Sequence, residues 1–228
     1  MRRRPPQEAL SIGSPPRIAA PRIAARLTGP IDRIDGRGVA SSAMDKAERR
    51  GLPHGVVWRE LTTHADHRGD LTELFRAEWH KGPAPVQWNF VRSDKNVLRG
   101  VHVHPRHDDY LIVLQSRMVL GLKDLRRDSP THDFGSLVEL TGERLSAIHI
   151  PHGVAHGFYF PSDVLYIYAV NSYWDLSDEL RCRWDDPELG LNWPTDSPVL
   201  SHADEGAGTL SAMRRDLEAG MRIAPRPR

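Results

Sequence analysis

NVLRGVHVHPRHDDYLIVLQ, residues 96 to 115, is the stretch from which the fold is best read. Val101 and Val103 alternate with His102 and His104. In an extended strand the two imidazoles therefore share one face while the two valines pack on the other. After a short polar break, Tyr110 to Leu114 forms an apolar run too short for a typical globular helix and rich in β formers, which reads as a second, more buried strand. A strand with ionisable groups on one face and apolar anchors on the other is suited to lining a pocket.

The same texture continues on both sides. From Gly55 onward, GVVWREL, LTELFRAEW, VQWNFVRS, DYLIVLQ, RMVLGLKDL, SLVELT, SAIHIP, AHGFYF and VLYIYAV follow one another, separated by turn signals such as HRGD, KGPAP, RRDSPTHDFG and TGER. About ten short strands at this spacing, with no helical period between them, predict an all-β sandwich or barrel. Beyond Asp175 the chain turns loop-like, with Trp184 and Trp193 expected to pack it onto the strands and a short helix expected around Leu210 to Glu218.

With 228 residues, the chain has room for one domain of about 150 residues plus tails. Residues 1–50 are rich in Arg, Pro and Ala, contain the duplication PRIAAPRIAA and hold no aromatic residue, so they are expected to form a disordered extension. The segment lacks the apolar core of a secretion signal, its prolines oppose an amphipathic transit helix, and Met44 is the expected initiator. The folded domain is then 51–210, followed by a tail over 211–228. The formal net charge is +1 with both signs interspersed, which leaves no basic footprint for nucleic acid. No apolar run approaches the roughly 18–20 residues of a membrane span. The lone Cys182 allows no disulfide within the chain and fits a reducing, cytoplasmic compartment.

His102, His104, His107 and His156 lie in or beside β-type stretches. The pair His102 and His104, an acid at Asp108 or Asp109, and His156 after a Pro-x-Gly turn form a 3-His-1-carboxylate set with metal-ligand character. The spacing resembles that of the metal-binding cupins, with Asp where that family usually has Glu.

A longer resemblance runs through DHRGDLTELF, VQWN, VLRGVH, DLRRDSPT, IPHGVAHGF, RWDDPELGLNWP and PVLSHAD, in that order. Over about residues 50 to 210 the chain resembles the dTDP-4-dehydrorhamnose 3,5-epimerase family. The resemblance implies a cupin-type jelly roll, a homodimer, no metal or other cofactor, and a nucleoside-diphosphate-linked 4-keto-deoxy sugar as substrate. It makes His102 the base, Asp204 the residue that orients it and Tyr168 the acid on the opposite face. It assigns Arg68, Gln87, Asn89, Arg99, His156 and Tyr173 to binding the nucleotide and sugar. A histidine suits the first role, because an unperturbed pKa of about 6.5 keeps a neutral fraction at cellular pH.

The departures are equally specific. Asp109 stands where the family usually has a Lys aimed at the enolate oxygen, and Leu120 stands where it has that Lys's Asp partner. His104 replaces a Gln, and Trp174 replaces the second Tyr of a pair that begins at Tyr173. Losing one preorganised oxyanion donor typically costs about 3 kcal/mol, so the electrophilic side of the site has been rebuilt. Two other readings stay open on these residues: a metal-dependent cupin enzyme using His102, His104, Asp109 and His156, in which a cation replaces the Lys, and a sugar-nucleotide binding module without turnover.

Overall fold

The strand pattern read from the sequence is present almost throughout. The structure, a computed structural model, describes residues 51–80, 82–173 and 175–221. The extension at 1–50, and Trp174, lie outside the described residues. The strands are β1 (Val57–Glu60), β2 (Thr63–Asp66), β3 (Gly69–Thr72), β4 (Gln87–Ser93), β5 (Leu98–Val103) and β6 (Asp109–Gln115), then β7 (Arg117–Asp124), β8 (Gly135–Thr141), β9 (Ser146–Ile150), β10 (Val154–Tyr159), β11 (Val164–Val170) and the short β12 (Leu180–Arg181). Two helices follow, α1 (His202–Glu205) and α2 (Leu210–Met221).

Two five-stranded sheets, ordered β1-β9-β6-β11-β4 and β12-β5-β10-β7-β8, carry the fold, and β2 pairs with β3 in a separate hairpin. All strand pairs are antiparallel. Neighbours distant in sequence, such as β5 beside β10 and β6 beside β11, give the crossed connections of a jelly roll. Leu111 and Val113 of the first sheet and Leu120 and Leu122 of the second enter one core cluster with Met118, Ile148, Ile150, Phe160 and Tyr166. The alternate residues of β6, Tyr110 and Ile112, join a smaller cluster with Ala147 and Ala169. Both faces of β6 are thus covered, which is why its sequence is a continuous apolar run rather than an alternation.

Val101 and Val103 belong to a third cluster that also holds Cys182, Leu189, Trp193, Leu210, Met213 and Leu217. The C-terminal loop and α2 therefore close the back of β5, and this packing leaves the histidine face of the strand to the cleft. Trp193 does tack the loop down: its Nε1–H donates to Trp184 O (3.1 Å), and a Cβ added at Gly121 on β7 would stand 2.5 Å from the indole. The helix expected near Leu210 to Glu218 continues to Met221, with Leu210, Met213 and Leu217 buried at helical spacing.

One expected strand is cut short. LTELFRAEW leaves the ladder at Thr72, and Ala77–Trp79 forms a single 3-10 turn. Phe75 packs edge-on to Tyr110, whose hydroxyl donates to Leu74 O (2.6 Å), so the apolar residues of this stretch cover a sheet instead of joining one.

Candidate active site

A cleft of about 480 Å³ opens between the two sheets. The second sheet lines it with Arg99 and His102 from β5, His156 from β10 and Arg181 from β12. Register aligns three of these: His102 stands opposite His156 on one side and Arg181 on the other. The first sheet contributes Gln87 and Asn89 from β4, Asp109 from β6 and Tyr168 from β11, with Tyr168 directly opposite Asn89.

His102 is held by α1. Its Nε2–H donates to Asp204 Oδ1 (2.7 Å), which leaves the basic lone pair on Nδ1. Ser201 caps α1 by accepting from the Asp204 amide and also donates its hydroxyl to Asp204 Oδ2 (2.8 Å). Burial raises the Asp204 carboxyl, but the His102 and Ser201 hydrogen bonds outweigh it and hold the group below its ordinary range. The carboxylate is therefore charged at neutral pH. Across the cleft, burial pushes the Tyr168 phenol up, aided by the negative charges of Asp109 and Glu179 and opposed by Arg99. Tyr168 keeps its proton at neutral pH and can serve as an acid.

Asn89 presents a buried Nδ2 donor without a hydrogen-bond partner among the described residues, while its Oδ1 accepts from Gln87 Nε2 (3.0 Å). A polar ligand in the cleft would satisfy that donor. Arg99 reaches the same cleft, with Nε donating to Ser93 Oγ (2.9 Å).

Two expected contacts are not in this cleft. Arg68 sits on the β2–β3 hairpin with its side chain 79% exposed and paired with Asp66 (2.6 Å), because that hairpin pairs only with itself. Tyr173 lies past the end of β11 and is 77% exposed. The alternative metal set read from sequence, His102, His104, Asp109 and His156, is only partly brought together. Asp204 has taken the Nε2 of His102, whereas the β5–β6 turn stacks His107 on His104 with ring centroids 3.9 Å apart. The Nε2 atoms of His104, His107 and His156 lie 3.6, 4.0 and 3.6 Å from Asp109 Oδ2. Leu120 is core, remote from any ionic role.

Glu179, Arg181 and Asp178 were not anticipated as site residues. Glu179 Oε1 is 3.8 Å from His102 Nδ1 and pairs with Arg181, while Asp178 anchors two of the histidines. They lie at or beside β12, whose two residues are too few to show a period.

Against known proteins, the sequence profile described as dTDP-4-dehydrorhamnose 3,5-epimerase matches residues 53–212. A dTDP-4-dehydrorhamnose 3,5-epimerase of Pseudomonas aeruginosa is 37% identical over 176 residues, covering 70% of this chain and 92% of that protein. A dTDP-4-dehydro-6-deoxyglucose 3-epimerase of Streptomyces bikiniensis is 31% identical, covering 71% of this chain and 87% of its own. Among solved structures, a dTDP-6-deoxy-D-glucose-3,5-epimerase of Legionella pneumophila in complex with dTDP-4-keto-L-rhamnose superposes with a TM-score of 0.66 at 32% identity, over 71% of this chain and 91% of that one. A 3'-monoepimerase of Streptomyces bikiniensis in complex with dTDP-quinovose gives 0.66 at 30% identity, over 74% and 89%. A sheet-to-sheet cleft with a carboxylate-held histidine facing a tyrosine, a profile spanning the folded domain and relatives covered over most of their length agree: this chain belongs to the dTDP-4-dehydrorhamnose 3,5-epimerase family.

Proposed function

We propose that the protein epimerises a dTDP-linked 4-keto-6-deoxy sugar, with His102, Asp204 and Tyr168 carrying the proton transfers. The 4-keto group acidifies the hydrogens on the adjacent ring carbons. His102 Nδ1 removes one of them, and Asp204 keeps the imidazole in the required tautomer and stabilises its charged form. Tyr168 returns a proton from the other side of the ring, because it stands on the opposing sheet. Arg99, Gln87 and Asn89 hold the nucleotide and sugar, the planar Arg99 fork being matched to a phosphate.

The observation that carries this reading is the 2.7 Å His102–Asp204 bond on one wall of a cleft whose other wall holds Tyr168. Its test is transfer of deuterium from solvent into dTDP-4-keto-6-deoxyglucose next to the keto group, followed by mass spectrometry. The wild type should exchange and His102→Ala should not. Failure of the wild type to exchange any sugar of a 4-keto nucleotide panel would refute it.

The same reading places the enzyme in the cytoplasm as a homodimer. The buried, unpaired Cys182 thiol, pushed up to about 12 chiefly by burial, suits a reducing compartment. Among the described residues no helix is long and apolar enough to cross a membrane. Strand β4 ends its sheet, and its outward Trp88 and Phe90 are 46% and 53% exposed, a face suited to a second copy. Sedimentation equilibrium, with Phe90→Glu as the disrupting variant, tests the dimer.

A further inference from the structure

The β5–β6 turn carries a group of side chains that proton transfer by His102 and Tyr168 leaves unused. His104, His107 and Asp109 are all buried, and their ligating atoms lie within 4.8 Å of one another. His156 of β10 faces the same carboxylate oxygen at 3.6 Å. The three Nε2–Oδ2 separations, 3.6 to 4.0 Å, are too long for hydrogen bonds, which would draw the atoms to about 2.7–3.2 Å. Donors about 2.1 Å from one transition-metal ion stand about 3.4 Å apart at the tetrahedral angle, so these three carboxylate-to-imidazole separations exceed that spacing by only about 0.2–0.6 Å.

The other ring nitrogens are already committed. His104 Nδ1–H donates to Asp178 O (2.9 Å), His156 Nδ1–H to Val154 O (3.1 Å) and His107 Nδ1–H to Asp178 Oδ2 (2.7 Å). A backbone carbonyl only accepts, so His104 and His156 carry their proton on Nδ1 and turn an Nε2 lone pair inward. Two imidazole lone pairs thus converge on a carboxylate that His107, its Nδ1 committed to Asp178, also faces with Nε2, an arrangement suited to a shared cation. Asp178 orients two of the rings and is itself fixed by Arg106 Nε (2.9 Å), the outer-sphere support that metal-binding histidines ordinarily have.

The geometry points to a binding site for a divalent first-row transition metal, with Zn²⁺ the best match, formed by His104, His107 and Asp109; His156 faces the same carboxylate but stands outside the group whose ligating atoms all lie within 4.8 Å of one another. Neither the profile match nor the relatives' names assign such a site, which differs from the set read from the cupin-like spacing by taking His107 in place of His102. The other cluster of this kind among the described residues, His80, Asp108 and His149, differs in that Asp108 already accepts from His149 Nε2 (3.2 Å) and from His152. A metal at the first site would supply a Lewis acid beside the His102 base, on the side where Asp109 replaces the expected Lys. That catalytic role rests on the epimerase reading; the binding does not.

The test begins with the full chain, stripped with chelator and titrated with Co²⁺ and Zn²⁺. One equivalent should bind, Co²⁺ should develop visible ligand-field absorption, and Zn²⁺ should displace it. His104→Ala and His107→Ala should each weaken binding at least 100-fold, and Asp178→Ala about 10- to 100-fold. His102→Ala and His149→Ala should bind as the wild type does, the former while losing proton exchange. Circular dichroism and Tm of each stripped variant establish that it is folded, and His107→Gln substitutes if the alanine variant is not. Absence of stoichiometric binding, binding indifferent to His104 and His107, or binding lost in His149→Ala instead would overturn the site. Metal bound as expected, but deuterium exchange that survives its removal, would overturn only the catalytic role.

Discussion

Asp204→Asn isolates the geometry on which the proposed chemistry depends. In the wild type, Asp204 Oδ1 accepts from His102 Nε2–H at 2.7 Å and Oδ2 accepts from Ser201 Oγ at 2.8 Å. An asparagine of the same shape must use its single carbonyl oxygen for one of these. Retaining the Ser201 bond points the amide NH₂ at His102 Nε2, which must then accept and so surrender its proton to Nδ1. The lone pair needed for proton abstraction is lost from the cleft. A hydrogen bond to a charged group contributes about 1.5–3 kcal/mol, or roughly 10- to 150-fold in rate. The inverted tautomer adds to that, toward the ~10⁴-fold loss known for a wrong-tautomer histidine base. A fall in kcat of about 10²- to 10³-fold follows, with KM little changed because Asp204 is positioned against the base rather than toward Arg99 and Asn89. Single-turnover deuterium wash-in on dTDP-4-keto-6-deoxyglucose, read by mass spectrometry, measures the proton transfer directly. Exchange within threefold of the wild-type rate would refute the role given to this pair.

Three further outcomes are expected. Tyr168→Phe should still wash deuterium into the sugar at a rate near that of the wild type but should yield little inverted product, as chiral analysis of the recovered sugar would reveal; loss of both together would remove Tyr168 from its role as acid. Gly121→Ala places a Cβ 2.5 and 2.7 Å from the Trp193 ring and 3.0 Å from Leu191, so it should cost about 1–3 kcal/mol and lower Tm by roughly 3–10 °C in calorimetry. Asp124→Ala removes a fully buried carboxylate that accepts from Arg126 Nε (2.8 Å), Ser129 Oγ (2.5 Å) and Thr131 Oγ1 (2.7 Å), and should destabilise by about 3 kcal/mol at neutral pH. Burial raises this carboxyl, but its hydrogen bonds hold it below the ordinary value, so its contribution is complete above about pH 4 and is lost as pH falls through the lower folded value. The stability gap between variant and wild type should therefore narrow progressively as pH falls below about 4; a constant gap would show that the charge is not what stabilises.

What the sequence determined by itself was the all-β class, the strand positions and the strand face on which His102 stands, because each is written in a local pattern. Alternation put Val101 and Val103 on one face and His102 on the other, and packing against the C-terminal cluster preserves that division. Ordered motifs along the chain were enough to suggest His102, Tyr168 and Asp204 as one set. Other features depended on pairing between distant segments. Only the β5–β10 register places His156 opposite His102, and only the return of the chain through β12 brings Glu179 and Arg181 beside them. The same holds for the histidine cluster. Two-residue spacing on a strand favoured His102 with His104 as ligands, yet the turn after β5 curls His107 back onto His104 while α1, about a hundred residues later in sequence, claims His102 through Asp204. Strand period decides which face a side chain takes; which partner waits on that face is decided by tertiary contact, since hydrogen-bond donors and acceptors are satisfied by whatever the fold brings within about 3 Å.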